Sequence, residues 1–332
     1  MDTDRKILRL GAAVIVCAVV LRMLGGVGAE AVEQVLQSPK IGQALVFIST
    51  GRVVRQADMD AREHREETPE SAPTEPSIPP QEETLLPVFS ATDVELVLVR
   101  NWANTQVDVQ ALLETPLTWN LAADVPTVLI LHTHGSESYQ NTENSGYRTL
   151  DTGDNVVSVG DRVAEILEAA GIRVVHDRTL HDNPSYSGSY EQARKSLKTY
   201  LQENPSVLLV LDIHRDAAED TSGKQIDHTV ETAKGRAAQL MLVVGTDTGG
   251  LYHPNWQENM ALAVKLHAQL ERTTPGICRD LCLRTSRFNQ DVSSGALLVE
   301  VGAAGNTRQE ALIAAEHLAE AIIALAKGTK AP

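Results

Sequence analysis

The sequence predicts an α/β domain whose sheet is mostly parallel and twisted, with helices on both faces. Three observations carry this. From residue 92 onward, short apolar runs alternate with segments of helical periodicity. Residues 207–213, 239–245 and 296–301 are almost continuously apolar, as strands covered on both faces are. Ionisable residues gather in and at the ends of three runs, and open α/β sheets place their sites at the carboxyl ends of strands.

In chain order, residues 127–132 read as a strand ending in polar side chains. Val156, Val159, Val163, Ile166, Leu167 and Ala170 recur at helical spacing, with Gly171 as the stop. Residues 172–176 read as a strand and 189–204 as a helix. The strands at 207–213 and 239–245 follow, then a helix over 256–272 and a strand over 296–301. Thr307-x-x-Glu310 is a capping box opening a long helix to Lys327. The sequence has no internal repeat.

The first 87 residues read differently. Residues 10–29 are apolar except for Arg22, and Arg5, Lys6 and Arg9 precede them. About 20 apolar residues span a bilayer, and flanking basic residues stay on the cytoplasmic side. The expectation is a single-pass membrane anchor over 1–30 with the rest of the chain extracytoplasmic. A signal peptide cleaved after Val27-Gly28-Ala29 is the rival, and a buried helix the plain alternative. Residues 31–57 read as a short helical stretch. Residues 58–87 carry nine acidic and two basic side chains and six of the fourteen prolines. That composition cannot bury enough apolar surface to order itself, so it reads as an extended linker before a domain over 88–330.

The 332-residue chain has a formal net charge of −15, and no basic surface for nucleic acid is apparent. Its three cysteines exclude a disulfide scaffold and a Cys-rich zinc module, although Cys278 and Cys282 are close enough in sequence to pair. No Gly-x-Ser-x-Gly elbow, glycine-rich phosphate loop or Cys-x-x-Cys pair is present.

Chemistry concentrates in His132-Thr-His134-Gly-Ser-Glu137, in Asp212-Ile-His214-Arg215-Asp216, and at Glu300 within an apolar strand. Two histidines and a carboxylate are a common zinc set that leaves a fourth position for water. A further carboxylate then serves as general base and proton donor. An acid inside an apolar strand is costly unless paired or functional, which points to Glu300. His134, Glu137 and His214 are the candidate metal ligands. Strand alternation makes His132 a substitute for His134. A cluster of surface salt bridges around 212–216 is the plain alternative. Arg215 is a candidate for a substrate carboxylate or for an ion pair with Asp216. His267 and His317 are expected on exposed helix faces; His176, His181, His228 and His253 could rim a cleft, but nothing in their spacing demands it. Residues 183–190, polar and aromatic, read either as a groove wall or as a loop with a helix cap.

His132-Thr-His134-x-x-Glu137-Ser-Tyr139, Asp182-x-x-Ser185-Tyr186, Asp212-Ile-His214-Arg215-Asp216-Ala217, Asn289-Gln290-Asp291 and Leu298-Val-Glu300-Val-Gly302 together resemble the stage II sporulation protein P family, over residues 126–326 and in the family's order. Phe288 stands where that family more often has tyrosine. The resemblance implies a fold similar to zinc-dependent N-acetylmuramoyl-L-alanine amidases. It implies cleavage of the amide between glycan lactyl group and stem peptide, with endopeptidase activity, during engulfment in sporulation. It implies Zn²⁺ as cofactor, peptidoglycan as substrate, and stage II sporulation proteins D and M and the cell membrane as partners. On the matching positions His134 and His214 are metal-binding, Glu300 is catalytic, and the acidic ligand is Glu137, with Asp154 as rival. Two other readings remain: a non-catalytic wall-binding scaffold, and a metallocarboxypeptidase acting on stem peptides.

Overall fold

The computed structural model describes residues 89–117, 119, 121–140 and 146–327, all within one unit, Gln81–Pro332. The expected anchor, short helical stretch and acidic linker lie outside the described residues. Among the described residues, no helix is long and apolar enough to cross a membrane.

A 3₁₀ turn at Ala91–Leu96 leads into β1 (Val99–Asn101) and α1 (Val109–Glu114). Next come β2 (Val128–Leu131), α2 (Val156–Ala169), β3 (Val174–His176), α3 (Ser189–Glu203) and β4 (Leu209–Asp216). A hairpin of β5 (Thr229–Thr232) and β6 (Gly235–Ala238) precedes β7 (Leu240–Gly245) and α4 (Trp256–Thr273). β8 (Leu281–Arg284), β9 (Ala296–Ala303) and α5 (Arg308–Lys327) complete the chain. The main sheet has the order β1-β8-β7-β9-β4-β2-β3. Every neighbouring pair is parallel except β7–β9. The predicted mostly parallel sheet is therefore present, with one antiparallel joint.

Period-two alternation sorts the strand residues between the faces. Val128 and Ile130 of β2, Leu209, Leu211 and Ile213 of β4, and Leu297, Val299 and Val301 of β9 join the core shared with α2, α4 and α5. Leu129, Leu131, Val210 and Ala296 face the other way, onto Ala193 and Leu197 of α3. By the same alternation Asp212, His214 and Glu300 project from the face that α3 covers. His214 and Glu300 are directly opposite each other across β4 and β9. The strand ends therefore converge as expected, on the face with the thinner cover.

Helix boundaries follow their local chemistry. Asn155 caps α2 by accepting from Val157 N at 3.0 Å, and Gly171 follows that helix with φ +85°, a conformation that favours glycine. The capping box forms as predicted: Thr307 N donates to Glu310 Oε2 at 3.0 Å and Glu310 N to Thr307 Oγ1 at 3.2 Å.

Two histidines depart from expectation. His267 and His317 are buried, because α4 is overlaid by α1, the first 3₁₀ turn and α5. His267 Nε2 lies 3.3 Å from the Arg279 carbonyl, and the His317 ring lies between the hydroxyls of Thr274 and Thr232. Cys278 and Cys282 are free thiols, and burial raises the pKa of both.

Gly160 within α2 tests the packing behind the sheet. Alanine ordinarily favours a helix over glycine by about 1 kcal/mol. Here a Cβ would come within 2.7 Å of both His132 Nε2 and His176 Nε2, two rings themselves joined at 2.8 Å. Gly160→Ala is therefore expected to destabilise by about 1–3 kcal/mol. A denaturant midpoint at or above the parent's would refute that packing.

Candidate active site

The turn after β2 carries His134 and Glu137, and Asp212 ties that turn to β4. Thr133 donates to the Asp212 carboxylate through its backbone N at 2.8 Å and its hydroxyl at 2.5 Å. Glu137 N donates to the His134 carbonyl at 3.0 Å, and the Glu137 carbonyl accepts from Val156 N at 2.9 Å. The turn is thus pinned between β4 and the first residue of α2.

This places Glu137 against His214. Glu137 Oε2 lies 3.4 Å from His214 Nδ1 and accepts from Arg215 N at 3.3 Å. On the other side of the ring, His214 Nε2 approaches Asp212 Oδ1 at 2.9 Å, a close contact without good hydrogen-bond alignment. The His134 ring stands 5.3 Å from that of His214 between centroids and nearly perpendicular to it. Three atoms here are buried without a hydrogen-bond partner: His134 Nδ1, His214 Nε2 and Glu300 Oε2.

The electrostatics follow from burial and charge. Burial alone would push the His214 imidazole down, but the Asp212 and Glu137 carboxylates outweigh it and hold the ring well above its ordinary value. Burial would raise Asp212 and Glu137; the contacts with His214 outweigh it and hold both below the usual carboxylate range. Burial and the neighbouring His214 lower His134. Burial pushes the Glu300 carboxyl up to about 8, with the Glu137 charge adding to the rise and His214 opposing it.

The donor chemistry fits a zinc ion. Donors around a tetrahedral zinc stand about 3.4 Å apart, given bonds of about 2.1 Å. The His214 Nδ1–Glu137 Oε2 separation matches that edge. A ligating histidine typically turns its other nitrogen to a carboxylate, as His214 turns Nε2 to Asp212. His134 supplies an unpartnered buried nitrogen beside them. Among the described residues, however, no three His, Cys, Asp or Glu side chains are gathered closely enough to hold an ion as they stand. Holding an ion would require these three side chains to draw closer together.

The remaining candidates fall elsewhere. Arg215 is not placed for substrate. Its side chain is buried, donating from Nε to the Ser138 carbonyl at 2.9 Å and from Nη2 to the Tyr147 carbonyl at 2.8 Å. It braces the loop that carries Glu137 by tying the Ser138 and Tyr147 carbonyls to β4. Asp216 pairs with Arg279 at 2.7 Å instead. Asp154, the rival acidic ligand, is exposed and lies 3.5 Å from Arg308. His132 is occupied away from His214: Nδ1 donates to the Ile213 carbonyl at 2.9 Å and Nε2 meets His176. Strand alternation stops being a guide there, since β2 ends at Leu131.

Sequence reasoning left Asp212 without a role, although its place two residues before His214 on one strand face was a usable signal. It also left residues 183–190 open. Tyr186 stacks on His134 at 4.2 Å and 15°, and Tyr190 meets the same ring edge-on at 5.6 Å. The segment is thus a wall of the site and also the entry to α3. Asn289, in a left-handed conformation with φ 57°, donates from Nδ2 to the Tyr190 carbonyl at 2.8 Å. Arg194 of α3 binds Asp291 through two hydrogen bonds of 2.7 Å. Residues 289–291 therefore hold the start of α3 against the site.

Comparison with known proteins adds the lineage. A curated relative, the stage II sporulation protein P of Bacillus subtilis (strain 168), is 30% identical over 59% of this chain and 50% of its own length. The chain thus spans about half the length of that relative. Among solved structures, it is similar to the N-acetylmuramoyl-L-alanine amidase AmiC2 of Nostoc punctiforme, at 19% identity and a TM-score of 0.35, covering 59% of this chain and 94% of that one. It is also similar to an N-acetylmuramoyl-L-alanine amidase from Clostridium difficile 630, at 16% identity and a TM-score of 0.37, covering 61% and 95%. The model of the family described as stage II sporulation protein P matches residues 47–323, most of the chain, and the chain belongs to that family.

Proposed function

We propose that this protein is a peptidoglycan hydrolase acting in sporulation, and specifically a zinc-dependent N-acetylmuramoyl-L-alanine amidase with accompanying endopeptidase activity. The observation that carries the reading is the Glu137–His214 pair at 3.4 Å with Glu300 directly opposite on the neighbouring strand. Family membership supports the substrate class.

In this reading His134, Glu137 and His214 hold the zinc. A bound zinc ion would bring the pKa of a water to about 7 and polarise the scissile carbonyl. Glu300 takes the proton from the attacking water and returns it to the departing amine. In the metal-free protein burial holds that carboxyl up at about 8, mostly protonated at neutral pH, and a bound cation would favour the carboxylate that accepts the water's proton. Asp212 fixes the His214 ring, and Arg215 fixes the loop behind Glu137. Tyr186 and Tyr190 orient His134. The domain is extracytoplasmic, tethered to the cell membrane by residues 1–30, and works with stage II sporulation proteins D and M.

A wall-binding scaffold is the second reading, favoured by the ungathered donor set among the described residues. One experiment separates the two. The full chain in detergent is incubated with intact peptidoglycan, with Zn²⁺ and with a chelator, and products are identified by mass spectrometry. Zinc-dependent release of whole stem peptides is expected. Single amino acids would indicate a carboxypeptidase. Bound wall without product, even with protein D added, would indicate the scaffold.

A further inference from the structure

Beside His134 lies a depression of about 490 Å³ lined by Ser136, Arg148, Leu150, Asn183 and Tyr186, among others. It shares Tyr186 with the candidate active site, because that ring stacks on His134. Resting on the hydrolase reading, we propose that this depression is a subsite for a carboxylate of the stem peptide, gripped by Arg148.

Arg148 and Asp182 form an ion pair of 3.1 Å whose two halves differ in exposure. The Asp182 side chain has no exposure, and its carboxylate accepts from Ser136 N at 3.1 Å and Ser136 Oγ at 2.6 Å. The Arg148 side chain is 37% exposed, so the pair turns its positive half outward. Arg148 is also the one cation among the residues lining the depression.

The guanidinium is used on one side. Its Nη1 donates to Asp182 and, at 3.2 Å, to Ser136 Oγ. Nε and Nη2 have no partner among the described residues. Those two N–H groups form the side-on fork of the guanidinium, which matches the two oxygens of a carboxylate. Tyr186 fixes the plane of that fork: the guanidinium carbon lies 4.2 Å from the ring centroid. The His134 ring stacks on the same tyrosine, its centroid also 4.2 Å away. Tyr186 thus contacts both groups and holds the fork close to the histidine of the candidate active site. In peptidoglycan the charged groups near the scissile amide are stem-peptide carboxylates, so the depression would read the peptide side of the bond.

The test uses the full parent chain in detergent and calorimetric binding of two probes. One is the tripeptide L-Ala-γ-D-Glu-L-Lys with free carboxylates; the other has each carboxylate converted to a carboxamide. The free acid is expected to bind about 10- to 100-fold more tightly, as for a charge-assisted fork. Arg148→Gln should remove most of that difference, and Arg148→Lys should restore only part of it. Equal affinity for the two probes, or binding of neither, would overturn the subsite, and needs no folded variant to be read. The same preparation is assayed on intact peptidoglycan. Preferential binding of the acid without wall cleavage would retain the subsite and reject the hydrolase, whereas cleavage with equal binding would do the reverse.

Discussion

Glu300→Gln is expected to lower release of stem peptides by about 10²–10⁴-fold, the usual contribution of a positioned general acid–base. The substitution keeps the shape of the side chain and removes only its capacity to take up and return a proton. It also breaks no hydrogen bond at Oε2, which has none. Wall binding and the fold should therefore survive. A second readout separates proton transfer from packing. In the metal-free protein, burial raises the Glu300 carboxyl to about 8. The native state then holds that proton more tightly than the unfolded chain. Parent stability accordingly falls as pH rises from the ordinary carboxylate value through about 8, and the amide removes that slope. A variant with parental turnover would remove Glu300 from the mechanism, and one whose stability falls as steeply as the parent's between about pH 4.5 and 6.5, below the range in which His214 adds its own decline, would show that the Glu300 carboxyl is not raised.

The strands that carry the site were legible because they are covered on both faces. Residues 207–213 and 296–301 are apolar runs interrupted by acids, and the structure puts Asp212, His214 and Glu300 on one face. The capping box at Thr307 and the stop at Gly171 were legible because their chemistry is local. Short elements were not. β1, with three residues, depends on pairing with β8, and β8, with four, is held between β1 and β7, at separations the sequence pattern does not encode. The hairpin of β5 and β6 is likewise absent from the periodicity, because only one of its strands has fully buried residues.

Within the site, residue types were legible and partners were not. Arg215 looked free because nothing local marks the carbonyls of Ser138 and Tyr147 as its acceptors. His267 and His317 looked exposed because a helix rich in polar residues can still be overlaid on most sides. Arg148 carried no sequence signal, since its role comes from Asp182, 34 residues away, and from the ring of Tyr186. Contacts of this kind arise from topology, and a pattern of residue types along the chain contains none of it.

His214→Ala is expected to abolish both zinc binding and wall cleavage and to destabilise the fold by about 3–5 kcal/mol, the scale for stripping one partner from a buried ionic cluster. The imidazole lies between two carboxylates, 2.9 Å from Asp212 and 3.4 Å from Glu137. Without it Asp212 loses its cation and Glu137 keeps only the more distant Arg215, 4.0 Å away, so both anions stay buried with less compensation. Their stabilisation has a definite pH window in the metal-free parent. Depressed carboxylates contribute fully above their ordinary values and lose that contribution as pH falls through the lowered ones. The raised imidazole contributes fully below its ordinary value and loses that as pH rises through the higher one. The cluster is thus worth most between about pH 4.5 and 6.5, and the variant should flatten that maximum. Adding Glu137→Gln to His214→Ala should recover part of the loss by removing one stranded charge. In the proposed zinc site metal and proton would compete for the His214 nitrogen, so parental zinc affinity should weaken as pH falls. The measurements are denaturant unfolding across pH and zinc content by elemental analysis. A variant that retains one zinc per chain would displace His214 from the ligand set, and one that unfolds at the parental midpoint would show that the carboxylates are not buried against it.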